Sequence, residues 1–214
     1  MKIQKLLHSC LLIEEGDTRI LIDPGSWTFE TGALKVSDIP RVDAVFITHP
    51  HADHCFVPAI KEFVARDGCK VVCNSDIVEV LKQERIETTQ ISIPETITIS
   101  DFTVTSTVGA HEPLPVPVPL NNGFYINHRL FHPGDCTSFE KNILTIPEVL
   151  ALPILAPWGT LTRAAELAIA LKPKHVIPIH DGFVKQSFHG VLEDIFSKTE
   201  IQFHPLKPGE ILEI

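Results

Sequence analysis

The 214-residue chain lacks any run of basic residues: its 18 lysines and arginines are scattered among 27 aspartates and glutamates, for a net charge of −9 and a pI near 5.6. That removes the electrostatic footprint needed to grip a nucleic-acid backbone, so no nucleic-acid partner is expected. Long apolar runs are missing as well. The most apolar window, residues 146–161, is interrupted by Pro147, Glu148, Pro153 and Pro157 and falls short of a membrane span. The opening residues imitate a leader, with a lipoprotein-like box at Leu7-His8-Ser9-Cys10, but His8 breaks the apolar stretch and Glu14-Glu15-Gly16-Asp17 ends it as a hairpin turn. A cytoplasmic protein without membrane partners is expected.

An even complement of cysteines is also absent. Cys10, Cys55, Cys69, Cys73 and Cys136 make an odd set in a chain large enough to need no covalent staples, which reads as reduced thiols. Cys69 and Cys73 flank residues 70–72, a short strand whose ends read as pointing to opposite faces, so they are expected to be two separate buried thiols. With 44% hydrophobic residues the chain can build one sizeable core, and a single domain over residues 1–214 is expected.

What the chain does have is Thr48-His49-Pro50-His51-Ala52-Asp53-His54, directly after the apolar stretch 42–47. Three imidazoles and a carboxylate in six positions form a dense donor set for zinc and neighbouring divalent ions. Alternate positions of an extended segment point the same way, so His49 and His51 can converge on one ion. Past the strand end the chain turns, and Asp53 and His54 can face a second position.

The remaining pattern is α/β. Strand-like runs at 3–8, 10–14 and 18–22 are followed by a loop over 24–40, a strand at 42–47, a helix near 57–65, a strand at 70–73 and a helix near 76–83. Runs at 96–99 and 102–107 then read as a hairpin. The second half repeats the theme, with strands at 124–127, 129–132 and around 149–155, a helix at 163–171, a strand at 175–179, a helix near 189–197 and closing strands at 201–203 and 211–214. Hairpins followed by αβ units, twice, predict two sheets packed face to face with helices outside. Between the halves, Glu112-Pro113-Leu114-Pro115-Val116-Pro117-Val118-Pro119 is too proline-rich for a central strand or a helix and reads as a stiff loop.

Three later residues share the placement of the opening motif, each where an apolar strand gives out: His111 after Gly109-Ala110, Asp135 after Gly134, and His180 before Asp181-Gly182. Open α/β architectures build their sites at such strand ends. Together, His49-Pro50-His51-Ala52-Asp53-His54, Gly109-Ala110-His111, Gly134-Asp135 and Ile179-His180-Asp181-Gly182, in that order, resemble the metallo-β-lactamase superfamily, within it the small lactonase-like metal-dependent hydrolases. The stretch His8 to Ile13 and the run Ile20-Leu21-Ile22-Asp23-Pro24-Gly25 resemble that branch too.

The resemblance implies a four-layer αββα sandwich, the metallo-β-lactamase fold. It implies two divalent ions, zinc foremost with manganese, iron or nickel as alternatives: His49, His51 and His111 on one, Asp53, His54 and His180 on the other, and Asp135 bridging both. Asp53, Asp135 and His180 would be the catalytic members of this set. A hydroxide bridging the ions would then attack an ester, lactone or phosphodiester bond of a small-molecule substrate. Two alternatives stand beside it: a di-iron redox protein on the same fold, whose motif usually has Glu where this chain has His51, and a non-catalytic metal-binding relative. Self-association into a homo-oligomer is compatible with either.

Around these residues, Asp23 is expected to buttress the histidine-rich loop, and His8 to serve either in packing or in hydrogen bonding to a ligand. Glu112 and Asp181 adjoin ligands and read as outer carboxylates. His132 and His189 are candidates for the substrate side, while His128, His175 and His204 read as surface or packing residues. Cys55, Cys136 and the segment Ala156-Pro157-Trp158-Gly159-Thr160-Leu161-Thr162 depart from the residues that similar chains carry there.

Overall fold

The computed structural model describes residues 1–138, 145–182 and 189–214. A first sheet holds β1 (Lys2–Lys5), β2 (Leu11–Glu15), β3 (Thr18–Ile22), β4 (Ala44–Ile47), β5 (Lys70–Cys73) and β6 (Thr89–Gln90), with β14 (Ile211–Glu213) added beside β1. The second, in the order 13-12-11-10-9-8-7, holds β7 (Thr96–Ile99), β8 (Phe102–Val108), β9 (Asn122–Ile126), β10 (Leu130–His132), β11 (Val149–Pro153), β12 (His175–Ile179) and β13 (Gln202–Phe203). Each sheet begins with antiparallel pairs and continues in parallel ones, β3 to β6 and β10 to β13. Parallel neighbours need crossovers, and among the described residues helices lie in those after β4, β5, β11 and β12: α2 (Val57–Asp67) and α3 (Ser75–Gln83) beside the first sheet, α4 (Leu161–Leu171) and α5 (His189–Phe196) beside the second.

Strand alternation builds the layers. Ile20 and Ile22, Ala44 and Phe46, and Val72 face inward and meet Phe124, Ile126, Val149, Ala151, Ile177 and Ile179 of the second sheet in a central core. Their neighbours Leu21, Val45, Ile47 and Val71 face outward onto Ile60, Phe63, Ile77 and Leu81 of α2 and α3. Leu150, Leu152 and Val176 do the same against Ala164, Ala168 and Leu192 of α4 and α5. This is the expected αββα sandwich. Across the central core Phe46 and Phe124 meet edge to face with centroids 5.4 Å apart, a geometry worth about 1 kcal/mol beyond the area it buries.

Several expectations change in detail. Residues 24–40 are not all loop: α1 (Ser26–Phe29) and a short 3-10 turn at Val36–Asp38 lie there, and the two-residue β6 had no pattern long enough to show. The first strand stops at Lys5 because the chain reverses over the next residues, where the Leu6 N–H donates to the Cys10 carbonyl and the Cys10 N–H to that of Leu7. Cys69 and Cys73 join the same core layer under α2 and α3 instead of facing apart, since residues four apart on an extended chain share a face. All five thiols are free and buried. No helix among the described residues is long and apolar enough to cross a membrane.

Lys5 is unusual in being fully buried. Its ammonium donates to the Pro178 carbonyl and, at 2.6 Å, to Asp181 Oδ2, so an ion pair ties the first sheet to the chain on either side of His180.

Candidate metal centre

The loops that follow β3, β4, β8, β10 and β12 gather at one end of the sandwich: they carry Asp23 after β3, His49, His51, Asp53 and His54 after β4, His111 after β8, Asp135 after β10 and His180 after β12. Two groups form, with donor atoms lying within 4.8 Å of one another: His49, His51, His111 and Asp135 in one, and Asp53, His54, His180 and His8 in the other. The Asp135 carboxylate lies between them. Its Oδ2 is 3.6 Å from His49 Nε2 and 3.5 Å from His111 Nε2, while its Oδ1 is 3.1 Å from both His54 Nε2 and His180 Nε2.

Outer hydrogen bonds set which ring nitrogen faces inward. The His54 Nδ1–H donates to Asp23 Oδ2 at 2.7 Å, that of His111 to the Glu112 carbonyl at 2.7 Å, and that of His180 to the Leu155 carbonyl at 2.9 Å. The Thr48 hydroxyl donates to Asp23 Oδ2 at 2.8 Å, so its oxygen accepts from His49 Nδ1 at 3.0 Å. Each outer nitrogen thus carries a proton, and Nε2 is the nitrogen that each of these rings turns inward. His51 presents Nδ1 instead, 3.2 Å from His111 Nε2.

These inward donors fit a cation. His49 Nε2, His54 Nε2 and Asp135 Oδ1 are buried without a hydrogen-bond partner among the described residues. Buried polar atoms are satisfied almost everywhere else in folded proteins, so converging lone pairs of imidazole and carboxylate call for a positive ion. Ionisation agrees. Burial, reinforced by the neighbouring His54, holds His49 well below the usual imidazole range, which keeps it a neutral donor. For Asp135 burial acts to raise the pKa, but His54 and His180 outweigh it and keep the carboxyl ionised.

His54 and His180 go the other way. Burial lowers them, yet Asp135, together with Asp23 at His54 and Asp53 at His180, outweighs it, leaving His54 well above its ordinary value of 6.5 and His180 raised from 6.5 to about 9. An ion must displace the protons these rings hold in that window. Loading with a divalent ion is therefore expected to release protons, with apparent affinity rising as pH climbs from 6.5 to about 9 and ions lost as it falls. Calorimetry in buffers of different ionisation enthalpy measures the release; a pH-independent affinity across the window contradicts this protonation scheme.

Asp23 does brace the loop: besides His54 and the Thr48 hydroxyl it accepts the Thr48 N–H at 2.8 Å on Oδ1. Glu112 is a buried anchor whose Oε1 accepts from the Thr137 N–H at 2.8 Å and the Thr137 and Ser138 hydroxyls at 2.7 Å, fixing the chain just after Asp135. Asp181 is held by Lys5. His132 is not on the substrate side, because it is fully buried and its Nε2–H donates to the Ser9 carbonyl at 3.0 Å. His189 sits against Asp181 at 3.3 Å, and His175 pairs with His204 at 3.0 Å at the start of β12, the strand end opposite His180. Burial pushes the Cys55 thiol up to about 12 and that of Cys136 to about 11, which makes both inert packing groups.

Sequence reasoning missed two asparagines. Asn121, buried, donates to the Pro133 carbonyl at 2.9 Å and to that of Gly109, and accepts from the Asp135 N–H at 3.1 Å, tying the His111 loop to the Asp135 loop. Asn74 donates to the Thr48 and Leu120 carbonyls at 3.0 Å and accepts from Asp76 and Ile77 as the cap of α3. Only the capping role leaves a signal in sequence. Trp158, half-buried, donates from Nε1 to Asp135 Oδ2 at 3.2 Å, and its ring centroid lies 5.5 Å from that of His180 and 6.2 Å from that of His111.

Comparison with known proteins agrees with this architecture. The family model described as "Beta-lactamase superfamily domain" matches residues 2–180. A UPF0173 metal-dependent hydrolase of Nanoarchaeum equitans is 32% identical over 193 residues, 84% of this chain and 83% of that protein. One from Thermococcus kodakarensis is 30% identical over 231 residues and the full length of both. Among solved structures, Igni18, a metallo hydrolase from the archaeon Ignicoccus hospitalis, superposes with a TM-score of 0.79 at 23% identity, over 100% of this chain and 98% of that one. With the family match spanning most of the sequence and these relatives aligned along its length, the chain belongs to the beta-lactamase superfamily, among its UPF0173 metal-dependent hydrolases.

Proposed function

We propose that this protein is a two-ion hydrolase of small molecules carrying an ester, lactone or phosphodiester bond, with residues 1–214 as one catalytic domain. The observation that carries the reading is the position of Asp135 between two donor groups, one oxygen toward each. His49, His51 and His111 would hold one ion and Asp53, His54 and His180 the other, with Asp135 placed between the two groups. Two divalent ions bound there, zinc foremost, would supply the Lewis acidity for hydrolysis of a carbonyl or phosphoryl group near neutral pH. Around them the chain's own residues orient and exclude. Asp23, Thr48, Glu112 and Leu155 fix the imidazoles, and Trp158 lies beside the His111 and His180 rings, adding an apolar face next to the reacting centre.

Substrate character follows from the surroundings. The net charge of −9 disfavours polyanions, and the exposed Val116, Val118 and Leu120 give the Pro-rich segment apolar character suited to a small uncharged or singly anionic molecule.

Elemental analysis together with turnover of 4-nitrophenyl acetate, a simple lactone and bis(4-nitrophenyl) phosphate tests the reading. Two non-redox divalent ions per chain with hydrolysis of at least one probe are expected; a protein that binds no metal and hydrolyses none of them would sink it. Trp158→Phe keeps an aromatic side chain, though a smaller one, and loses the N–H to Asp135, and is expected to lower kcat/KM roughly 10-fold at unchanged metal content, the scale of an outer-sphere hydrogen bond. An equal loss of bound metal would show that the indole acts on ion retention instead.

A further inference from the structure

Distance alone makes His8 a fourth donor of the second group, beside Asp53, His54 and His180. Hydrogen-bond polarity separates it from them. The outer nitrogens of His49, His54, His111 and His180 all face oxygens, so they carry a proton and leave Nε2 as the nitrogen that can take an ion. His8 is reversed. Its Nδ1 lies 3.2 Å from the backbone nitrogen of Gly182, which can only donate. Nδ1 is therefore the bare nitrogen, and the ring proton sits on Nε2, 3.2 Å from Asp53 Oδ2. An imidazolium would set two N–H groups head to head at Gly182, so the geometry excludes that form as well.

The surroundings lock the ring in this sense. Trp27 stacks on it at 5.7 Å with a 26° tilt, and the His180 ring lies 4.1 Å away. The His8 backbone is left-handed, φ 56°, a conformation that costs a non-glycine residue energy and persists only where its surroundings enforce it. Across the gap, a Cβ on Gly182 would come within 2.9 Å of His8 Nδ1, so the absence of a side chain there is what lets the N–H reach the ring. Asp53 is also the member of its group that most needs restraint. Its side chain is 19% exposed, against 0% for His54 and 2% for His180.

We propose that His8 is a positioning residue and not a metal ligand: its Nε2–H pins the Asp53 carboxylate toward His54 and His180, leaving three protein donors besides Asp135 for the second ion. This rests on the two-ion reading above. It also makes the turn after β1 part of the site through one hydrogen bond, coupling the first sheet to the chain after β12.

The test is nitrogen NMR on histidine-labelled protein, metal-free and loaded with cadmium-113, combined with metal stoichiometry. The expected result is an Nε2–H tautomer for His8 in both states, with cadmium coupling to His54 and His180 and none to His8. His8→Ala is expected to keep two cadmium sites but weaken the second 10- to 100-fold, the usual effect of losing an outer hydrogen bond to a ligand. His8→Gln, which can place an amide N–H near the same oxygen, is expected to recover most of that affinity. Coupling from cadmium to His8, an Nδ1–H tautomer, a His8→Ala protein that binds one ion, or unchanged affinity would each overturn the proposal. Wild-type protein binding fewer than two ions overturns the underlying reading along with it, whereas two ions with coupling to His8 overturn this proposal alone.

Discussion

Asp135→Ala is expected to empty both halves of the site: bound metal falls from two ions per chain to a weakly held remnant, and kcat/KM on a model ester drops on the order of 1,000-fold or more, about 4 kcal/mol of transition-state stabilisation. The reason is geometric. No other carboxylate among the described residues lies within 3.6 Å of inward nitrogens from both groups. Its charge is also the largest of the contributions that hold His54 and His180 above the ordinary imidazole value against the effect of burial, so removing it changes their protonation. A ligand that binds only the folded state raises its stability, so the zinc-dependent increase in melting temperature of the wild-type protein is expected to vanish in the variant. Elemental analysis and thermal melts with and without zinc measure both effects. An Asp135→Ala protein that keeps two ions would show that the groups do not depend on a shared carboxylate. Asp135→Asn separates charge from shape, because it leaves the donor to Asn121 in place through the backbone and keeps a side-chain oxygen while losing the charge.

Much of this centre was legible because its donors are concentrated and regularly placed. His49 to His54 stand out from the density of donor residues, and His111, Asp135 and His180 each follow an apolar run that is plain in the sequence. Such runs, with helical apolar spacing between them, made the two sheets and their outer helices readable, down to the ranges of β3, β5, β7 and β12, which match the expected ones. What stayed hidden depends on contacts between segments far apart in the chain. Asn121 looks like an ordinary polar residue before a strand until Gly109, Pro133 and Asp135 surround it. Lys5 is one polar position in the strand-like run 3–8, and its partner Asp181 lies 176 residues away. The reversed proton on His8 depends on one backbone N–H in a loop near the other end of the chain. Local pattern reports which side chain is present and which face it takes. It carries nothing about the partner that fixes a tautomer or satisfies a buried charge.

Gly25→Ala tests the largest constraint outside the ligands. Gly25 has ordinary backbone angles, φ −86° and ψ 170°, so conformational freedom is not what a glycine provides there. Proximity is. A Cβ at this position would land 1.6 Å from the Asp53 carbonyl oxygen, 2.1 Å from its carbon and 2.8 Å from the His54 nitrogen. The two loops are joined backbone to backbone on either side of that point: the Ser26 N–H donates to the Ala52 carbonyl at 2.8 Å, and the Phe56 N–H to that of Pro24 at 3.0 Å. A methyl group needs roughly 1.5 Å more room than it has, and a packed interior yields that only by moving backbone. Separation of the loops breaks those hydrogen bonds and draws Asp53 and His54 away from His180, while His49, sheltered at the end of β4, keeps its place beside His111. The expected outcome is a loss of about 3 kcal/mol or more in denaturant unfolding, at the severe end for a single substitution, together with a fall from two bound ions to one. Retention of both ions with an unchanged unfolding midpoint would mean that the loops separate without disturbing the ligands. Gly25 would then be a close-packed glycine with no part in shaping the centre.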